Sequence, residues 1–145
     1  MFIDASVVVA VLAKEPGFEE LRNRLFSAAR PLFVSPTVRF EAALGLARNK
    51  SASRASAGTS SAGLLEQARS AVDAFVEALE IDEVPITSEI GTMAIDASVR
   101  YGKGSGHAAR LNFGDCFAYA CAKVLRVPLL YKGDDFAHTD LALSS

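Results

Sequence analysis

The sequence predicts an α/β fold, a parallel sheet covered on both faces by helices, and three observations carry that prediction. Short apolar runs at residues 1–3, 32–34, 83–86 and 128–131 alternate with longer segments of helical periodicity. Such alternation is the pattern of strand–helix–strand units, whose parallel strands must be buried on both faces. Half of the 145 residues are apolar, enough to build one core at this length, and no internal repeat divides the chain.

Each element follows from local chemistry. Met1, Phe2 and Ile3 read as a strand stopped at Asp4, and the apolar segment from Ser6 to about Lys14 reads as a helix broken by Pro16-Gly17. Residues 18–29 place Phe18, Leu21, Leu25 and Phe26 at helical spacing. After the run 32–34, Ser35-Pro36 is a helix start, because serine caps and proline suits the first helical position. That helix should cover 36–49 and carry Glu41. Residues 51–63, SASRASAGTSSAG, are a low-complexity stretch expected to be a flexible loop or a frayed helix end. A helix is expected over 64–79, then a strand over 83–86 that Pro85 assigns to a sheet edge. Further helices are expected over 88–101 and 116–125, separated by a glycine-rich loop at 102–106. A last strand, 128–131, runs into the turn Lys132-Gly133-Asp134-Asp135.

Composition narrows the function classes. The net charge of −2 gives no global basic field, so an enzyme acting on nucleic acid would need local basic patches or metal ions to approach phosphates. The two cysteines, Cys116 and Cys121, sit five apart in an expected helix and point different ways. That spacing argues against a disulfide or a zinc site and for a reducing compartment. Met1-Phe2-Ile3-Asp4 lacks the basic start of a signal peptide, and the apolar run 7–13 is too short to span a bilayer. A soluble, cytoplasmic protein without membrane association is expected.

The chemistry rests on acids. In parallel α/β sheets ligands bind at the carboxyl ends of the strands. Asp4 follows the first strand, Glu41 lies in the helix after the second, Asp115 opens the helix before the last strand, and Asp134 and Asp135 follow that strand. Each has an ordinary explanation too: Asp4 and Asp115 as helix N-caps, Glu41 as a surface glutamate, Asp134-Asp135 as turn residues after Gly133. If the strands are neighbours, all converge on one edge. Two carboxylates about 4 Å apart repel by roughly 4 kcal/mol at an effective dielectric near 20. Such a cluster either holds protons with raised pKa values or binds a cation, and oxygen donors suit Mg²⁺ or Mn²⁺. His107 and His138 are isolated and lack ligand spacing.

The same residues carry a resemblance. FIDASVVVAVLAKEPG, VSPTVRFEAALGLARN, HAARLNFGDCFAYACAK and PLLYKGDDFAHTDL, in that order, resemble the four motifs of PIN-domain ribonuclease toxins of the VapC type. Carried onto this sequence, the resemblance assigns the catalytic, metal-holding acids to Asp4, Glu41, Asp115 and Asp135, with Asp134 as the alternative fourth acid. Many PIN proteins close with threonine, any residue and aspartate, whereas the comparable stretch here is Tyr131-Lys132-Gly133, so the fourth acid is displaced. Ser6 is a supporting residue that either holds a carboxylate or caps the helix. Asn112 either positions a phosphate or, as favoured here, caps the loop.

The resemblance implies a PIN-like three-layer α/β/α sandwich with a central parallel sheet, a single domain over 1–145, usually dimeric. It implies a Mg²⁺- or Mn²⁺-dependent endoribonuclease, the toxin component of a type II toxin–antitoxin system, cleaving RNA with a metal-activated water. It further implies a VapB-type antitoxin that occludes the acidic site, and operator DNA contacted only through that antitoxin. Arg39, Arg48 and Lys50 form a local basic stretch near Glu41 that is expected to meet RNA phosphates. Two rivals stand beside this reading. A Mg²⁺-dependent phosphatase or phosphotransfer domain would use Asp4 as nucleophile, but its usual second aspartate is replaced by Ser6. A non-catalytic module would use the acids to dock a basic partner.

Overall fold

The computed structural model describes residues 1–52 and 60–141. Its strands are β1 (Phe2–Ile3), β2 (Phe33–Val34), β3 (Asp82–Glu83) and β4 (Leu129–Leu130). Its helices are α1 (Ala5–Ala13), α2 (Phe18–Ser27), α3 (Pro36–Ser51), α4 (Ser61–Ala78), α5 (Ser88–Tyr101) and α6 (Phe113–Leu125). Short 3₁₀ turns cover Lys103–Ser105 and Asp135–His138.

All strand pairs are parallel, and the order across the sheet is β3-β2-β1-β4. The chain steps outward from β1 to β2 and β3, then returns to place β4 on the other side of β1. The carboxyl end of β1 is therefore the point where the winding reverses, which is where open α/β sheets form a crevice. β3 lies at the edge, as expected, but it covers Asp82–Glu83 rather than 83–86, so Pro85 stands after the strand and not within it. Helices cover both faces, with α1 packing on α2, α3 and α4, and α5 packing on α6. This is the three-layer α/β/α sandwich expected from the sequence.

Phe2, Ile3 and Leu130 are completely or almost completely buried, so the central strands are apolar on both sides. Val7 and Val8 turn into the core, while Val9 is partly buried against α3. Gly45 permits that approach: a Cβ there would lie 3.0 Å from a Val9 methyl. Cys116 and Cys121 are buried free thiols. Among the described residues no helix is long and apolar enough to cross a membrane.

Several boundaries differ from expectation, and capping explains them. α6 begins three residues earlier than read, at Phe113, because Asn112 is its N-cap. Asp115 is thus not the cap but the third helical residue, and it completes a reciprocal capping box with Asn112. α4 likewise starts at Ser61, since the Ser60 hydroxyl accepts the Gly63 amide at 3.1 Å. Part of the Ser/Ala-rich stretch is therefore a helix end, one of its two expected forms, and residues 53–59 lie outside the described part. α3 runs two residues further than expected, to Ser51.

Candidate active site

Asp4, Glu41, Asp115 and Asp135 line one cleft of about 330 Å³ at the carboxyl end of β1. Four separate pieces of local structure deliver them. Asp4 is the N-cap of α1, and its Oδ2 accepts both the Ser6 amide (2.9 Å) and the Ser6 hydroxyl (2.5 Å). The Ser6 hydroxyl in turn accepts the Lys132 amide at 3.0 Å, which ties the end of β4 to the start of α1. Capping and site geometry therefore coexist at Asp4: one oxygen of the carboxylate anchors the helix while the side chain borders the cleft. Asp115 is held the same way, its Oδ2 accepting the Asn112 amide at 2.8 Å while Asn112 Oδ1 accepts the Asp115 amide at 3.0 Å.

Glu41 enters from the second turn of α3 and is half-buried rather than displayed on a polar face. It reaches the start of α6 because residue 114 is glycine. A Cβ on Gly114 would sit 1.8 Å from Glu41 Oε2 and 2.1 Å from its carboxyl carbon. Asp135 comes from the 3₁₀ turn after β4; it and Asp134 are both exposed, but only Asp135 borders the cleft.

The electrostatics are those of crowded acids. Glu41 is pushed up to about 7, first by burial and then by Asp4 and Asp115. Burial raises Asp115 to about 6, with Asp4 and Asp135 adding to the effect and the Asn112 amide and Lys103 opposing it. Asp4 is raised as well, chiefly by burial, against its hydrogen bonds to Ser6. The lysine on the rim brings limited relief, because Lys132 Nζ is paired with Glu15 at 2.5 Å. Among the described residues no three His, Cys, Asp or Glu side chains close around a single metal position. An open ring of hard oxygen donors still matches Mg²⁺, which keeps several waters and takes only one or two carboxylates directly.

In the unfolded chain the carboxyls titrate near 4. Between about pH 4 and pH 7 the folded protein holds protons on Glu41 and Asp115 that the unfolded chain has released. Their contribution to stability therefore falls as pH rises through that window. The melting temperature of the metal-free protein should carry this loss, Glu41→Gln should flatten it, and Mg²⁺ should stabilise more at pH 7.5 than at pH 5. Thermal melts of both proteins across pH, with and without Mg²⁺, measure all three. A Mg²⁺ effect equal at both pH values would contradict the account.

The basic residues separate. Arg39, expected beside the RNA, instead bridges Asp73 of α4 and Glu83 at the end of β3, both at 2.5 Å. It borders the groove between α3 and α4, not the acid cleft. Helix geometry explains this, since residues two apart point to nearly opposite faces whereas residues seven apart share one. Arg48 accordingly shares the Glu41 face and lines a hollow adjoining it. Lys50 is half-buried in the last turn of α3. Residue-by-residue reading had passed over Gly114 and the Glu15–Lys132 pair. The glycine stood next to Asp115 in the sequence, and the pair had no short-range signal.

The PIN domain family model matches residues 1–141. A VapC ribonuclease of Rhizobium meliloti is 52% identical over 141 residues, covering 97% of this chain and 98% of its own. Ribonuclease VapC42 of Mycobacterium tuberculosis is 31% identical across 97% of this chain and 96% of its own. Among solved structures, M. tuberculosis VapC20, described as a sarcin-ricin loop cleaving toxin, matches with a TM-score of 0.68 at 17% identity, covering 99% of this chain and 94% of that one. That similarity speaks to the fold, and the two sequence relatives speak to the family: the chain belongs to the PIN-domain VapC ribonucleases.

Proposed function

We propose that this protein is a Mg²⁺- or Mn²⁺-dependent endoribonuclease, the toxin of a VapBC-type pair, with Asp4, Glu41, Asp115 and Asp135 as its catalytic and metal-holding acids. The observation that carries the reading is the convergence of those four carboxylates, from four different elements, on one cleft. Clustered acids with raised proton affinity are costly to assemble unless something neutralises them. One or two divalent ions would do so, and when bound they supply Lewis acidity and a water of lowered pKa.

The chain's own residues do the positioning. Ser6 locks the Asp4 carboxylate by two hydrogen bonds, and Asn112 locks Asp115 by the capping box. Both acids thus lose rotamer freedom before substrate arrives, which lowers the reorganisation needed at reaction. The cleft lies open at the surface, as a phosphodiester in a folded RNA requires. Attack by water on phosphorus leaves the RNA 2′-hydroxyl unused, so the products carry 5′-phosphate and 3′-hydroxyl ends.

An antitoxin of VapB type would silence such a cleft by delivering a cationic side chain to the acids, and operator DNA would be reached through that antitoxin. A homodimer is supported by Ile95 and Val99, one turn apart on α5 and 67% and 71% exposed. The phosphatase alternative finds at Ser6, where it needs a second acid, a hydroxyl already committed to Asp4.

The test is cleavage of a small-RNA pool by the partner-free protein with Mg²⁺, Mn²⁺ or EDTA, followed by mapping of the product ends. Metal-dependent cuts with 5′-phosphates are expected. Cyclic-phosphate ends, or full activity in EDTA, would overturn the metal mechanism, and turnover of small phosphomonoesters without RNA cleavage would favour a phosphatase.

A further inference from the structure

Glu41 borders a second hollow besides the acid cleft. This one, of about 460 Å³, lies between α3 and the first turn of α6, and its other walls include Pro36, Phe40, Leu44, Arg48 and Phe113. Two of these are large rings turned outward, Phe40 at 66% and Phe113 at 73% exposure. Phe113 rests on Phe117, with ring centroids 4.8 Å apart, while most of its surface stays open. It is also the first residue of α6, immediately after the Asn112 cap, so its backbone is fixed by the same capping box that orients Asp115. Arg48 stands two turns along α3 from Glu41, on the same helix face, and makes no ion pair among the described residues.

We propose that this hollow is a nucleobase subsite, in which Phe113 and Phe40 stack an unpaired base flanking the scissile phosphodiester while Arg48 meets a neighbouring phosphate. The proposal rests on the ribonuclease reading and adds a determinant of substrate choice to it. Aromatic rings, an arginine and a contiguous catalytic cleft are the parts that single-stranded RNA recognition requires. Glu41 lines both hollows, so the two adjoin. A second protein surface is a poorer occupant, because an apolar patch closing over the rings would desolvate Arg48 without offering it an anion. A nucleotide offers its base to the rings and its phosphate to the guanidinium. The base must be unpaired, since its faces are otherwise covered by its neighbours in a duplex, so cutting should favour loops.

The test has two arms, run on the full chain, with Phe26→Ala as the control for an exposed ring outside both hollows. In the first, an RNA pool randomised around the cut is digested and the cut positions are sequenced. Phe113→Ala should raise KM by about 5- to 150-fold, the range alanine substitution gives for a stacked base. It should also flatten the base preference at one position beside the cut, and Phe113→Tyr should restore it. Arg48→Ala should reduce the salt dependence of KM. In the second arm, a single-stranded oligonucleotide carrying 2-aminopurine is bound without metal to Asp115→Asn protein, and its fluorescence should be quenched by stacking unless Phe113 is also removed. Unchanged KM, base preference and quenching in Phe113→Ala would overturn the subsite while leaving the ribonuclease intact. Quenching by a protein that never cuts RNA would overturn the ribonuclease reading and keep the subsite. Loss of a dimer in Phe113→Ala with unchanged base preference would assign the patch to a second copy of the chain and overturn the proposal.

Discussion

Replacing Asp115 with asparagine is expected to lower RNA cleavage by about 10³-fold or more, equivalent to about 4 kcal/mol of transition-state stabilisation, while leaving the fold intact. This side chain has two separable jobs. Its structural job is to accept the Asn112 amide, and an asparagine side-chain oxygen can accept the same bond, so the cap of α6 survives. The chemical job proposed for it needs a negative charge among the other acids, and that charge is gone. Metal ions in such sites contribute several kcal/mol of charge stabilisation, which the weakened ligand set forfeits. The substitution also removes one of the charges that raise Glu41. The variant should therefore melt higher than the wild type at pH 7.5 without metal, and gain less from added Mg²⁺. Single-turnover cleavage and thermal melts with and without Mg²⁺ measure both effects. Activity within about tenfold of wild type would remove Asp115 from the chemistry, and a lower melting temperature would show that the cap, not the charge, dominates its role.

That pairing of roles explains what was legible in the sequence. The strand-to-acid junctions were readable because β1 and β4 are short apolar runs followed within a few residues by acids, whereas β3 is itself Asp82-Glu83. The neighbouring of β1 with β4 was not, because it is decided by a long-range return of the chain that no local pattern encodes. Competing local explanations for the acids were not in competition. Asp4 caps α1 and borders the cleft at once, and Asp115 completes a capping box and faces the same cleft. Helix N-termini carry partial positive charge, so they are physically suitable places to hold carboxylates that a catalytic site needs ionised. Where reading failed, helix phase and capping decided the outcome. Arg39 is two residues from Glu41 in sequence but on another face, bound into an ion-pair bridge to Asp73 and Glu83. Phe113 lies outside the helix that periodicity gives to 116–125, yet Asn112 makes it the first residue of α6. Asp135 is the first choice and Asp134 the alternative in the sequence; both are exposed, and the 3₁₀ turn that follows Gly133 brings Asp135 to the cleft wall.

The contribution of Gly114 leads to the second large effect. Gly114→Ala should reduce cleavage by about 10²-fold, the penalty for misplacing a reacting group by about an ångström. Alanine is the better helix former, so the backbone of α6 gains rather than loses from the change. The added methyl would nevertheless occupy the space of the Glu41 carboxylate, 1.8 Å from Oε2. Glu41 offers the less resistant side of that contact: its carboxylate is the end of a flexible chain, while residue 114 is fixed in a capped first turn. The helix should hold and the acid should move, leaving a folded protein with three acids in position and one displaced. A shortened acid tests this directly. Glu41→Asp withdraws the carboxylate by one methylene, so the Gly114→Ala/Glu41→Asp protein should be more active than the product of the two single losses predicts, a positive coupling in the double-mutant cycle. Strict additivity, with both single variants impaired, would mean that the methyl acts through something other than Glu41. A Gly114→Ala protein with wild-type activity would mean that the Glu41 carboxylate has room to move without consequence, and its place among the four catalytic acids would have to be given up.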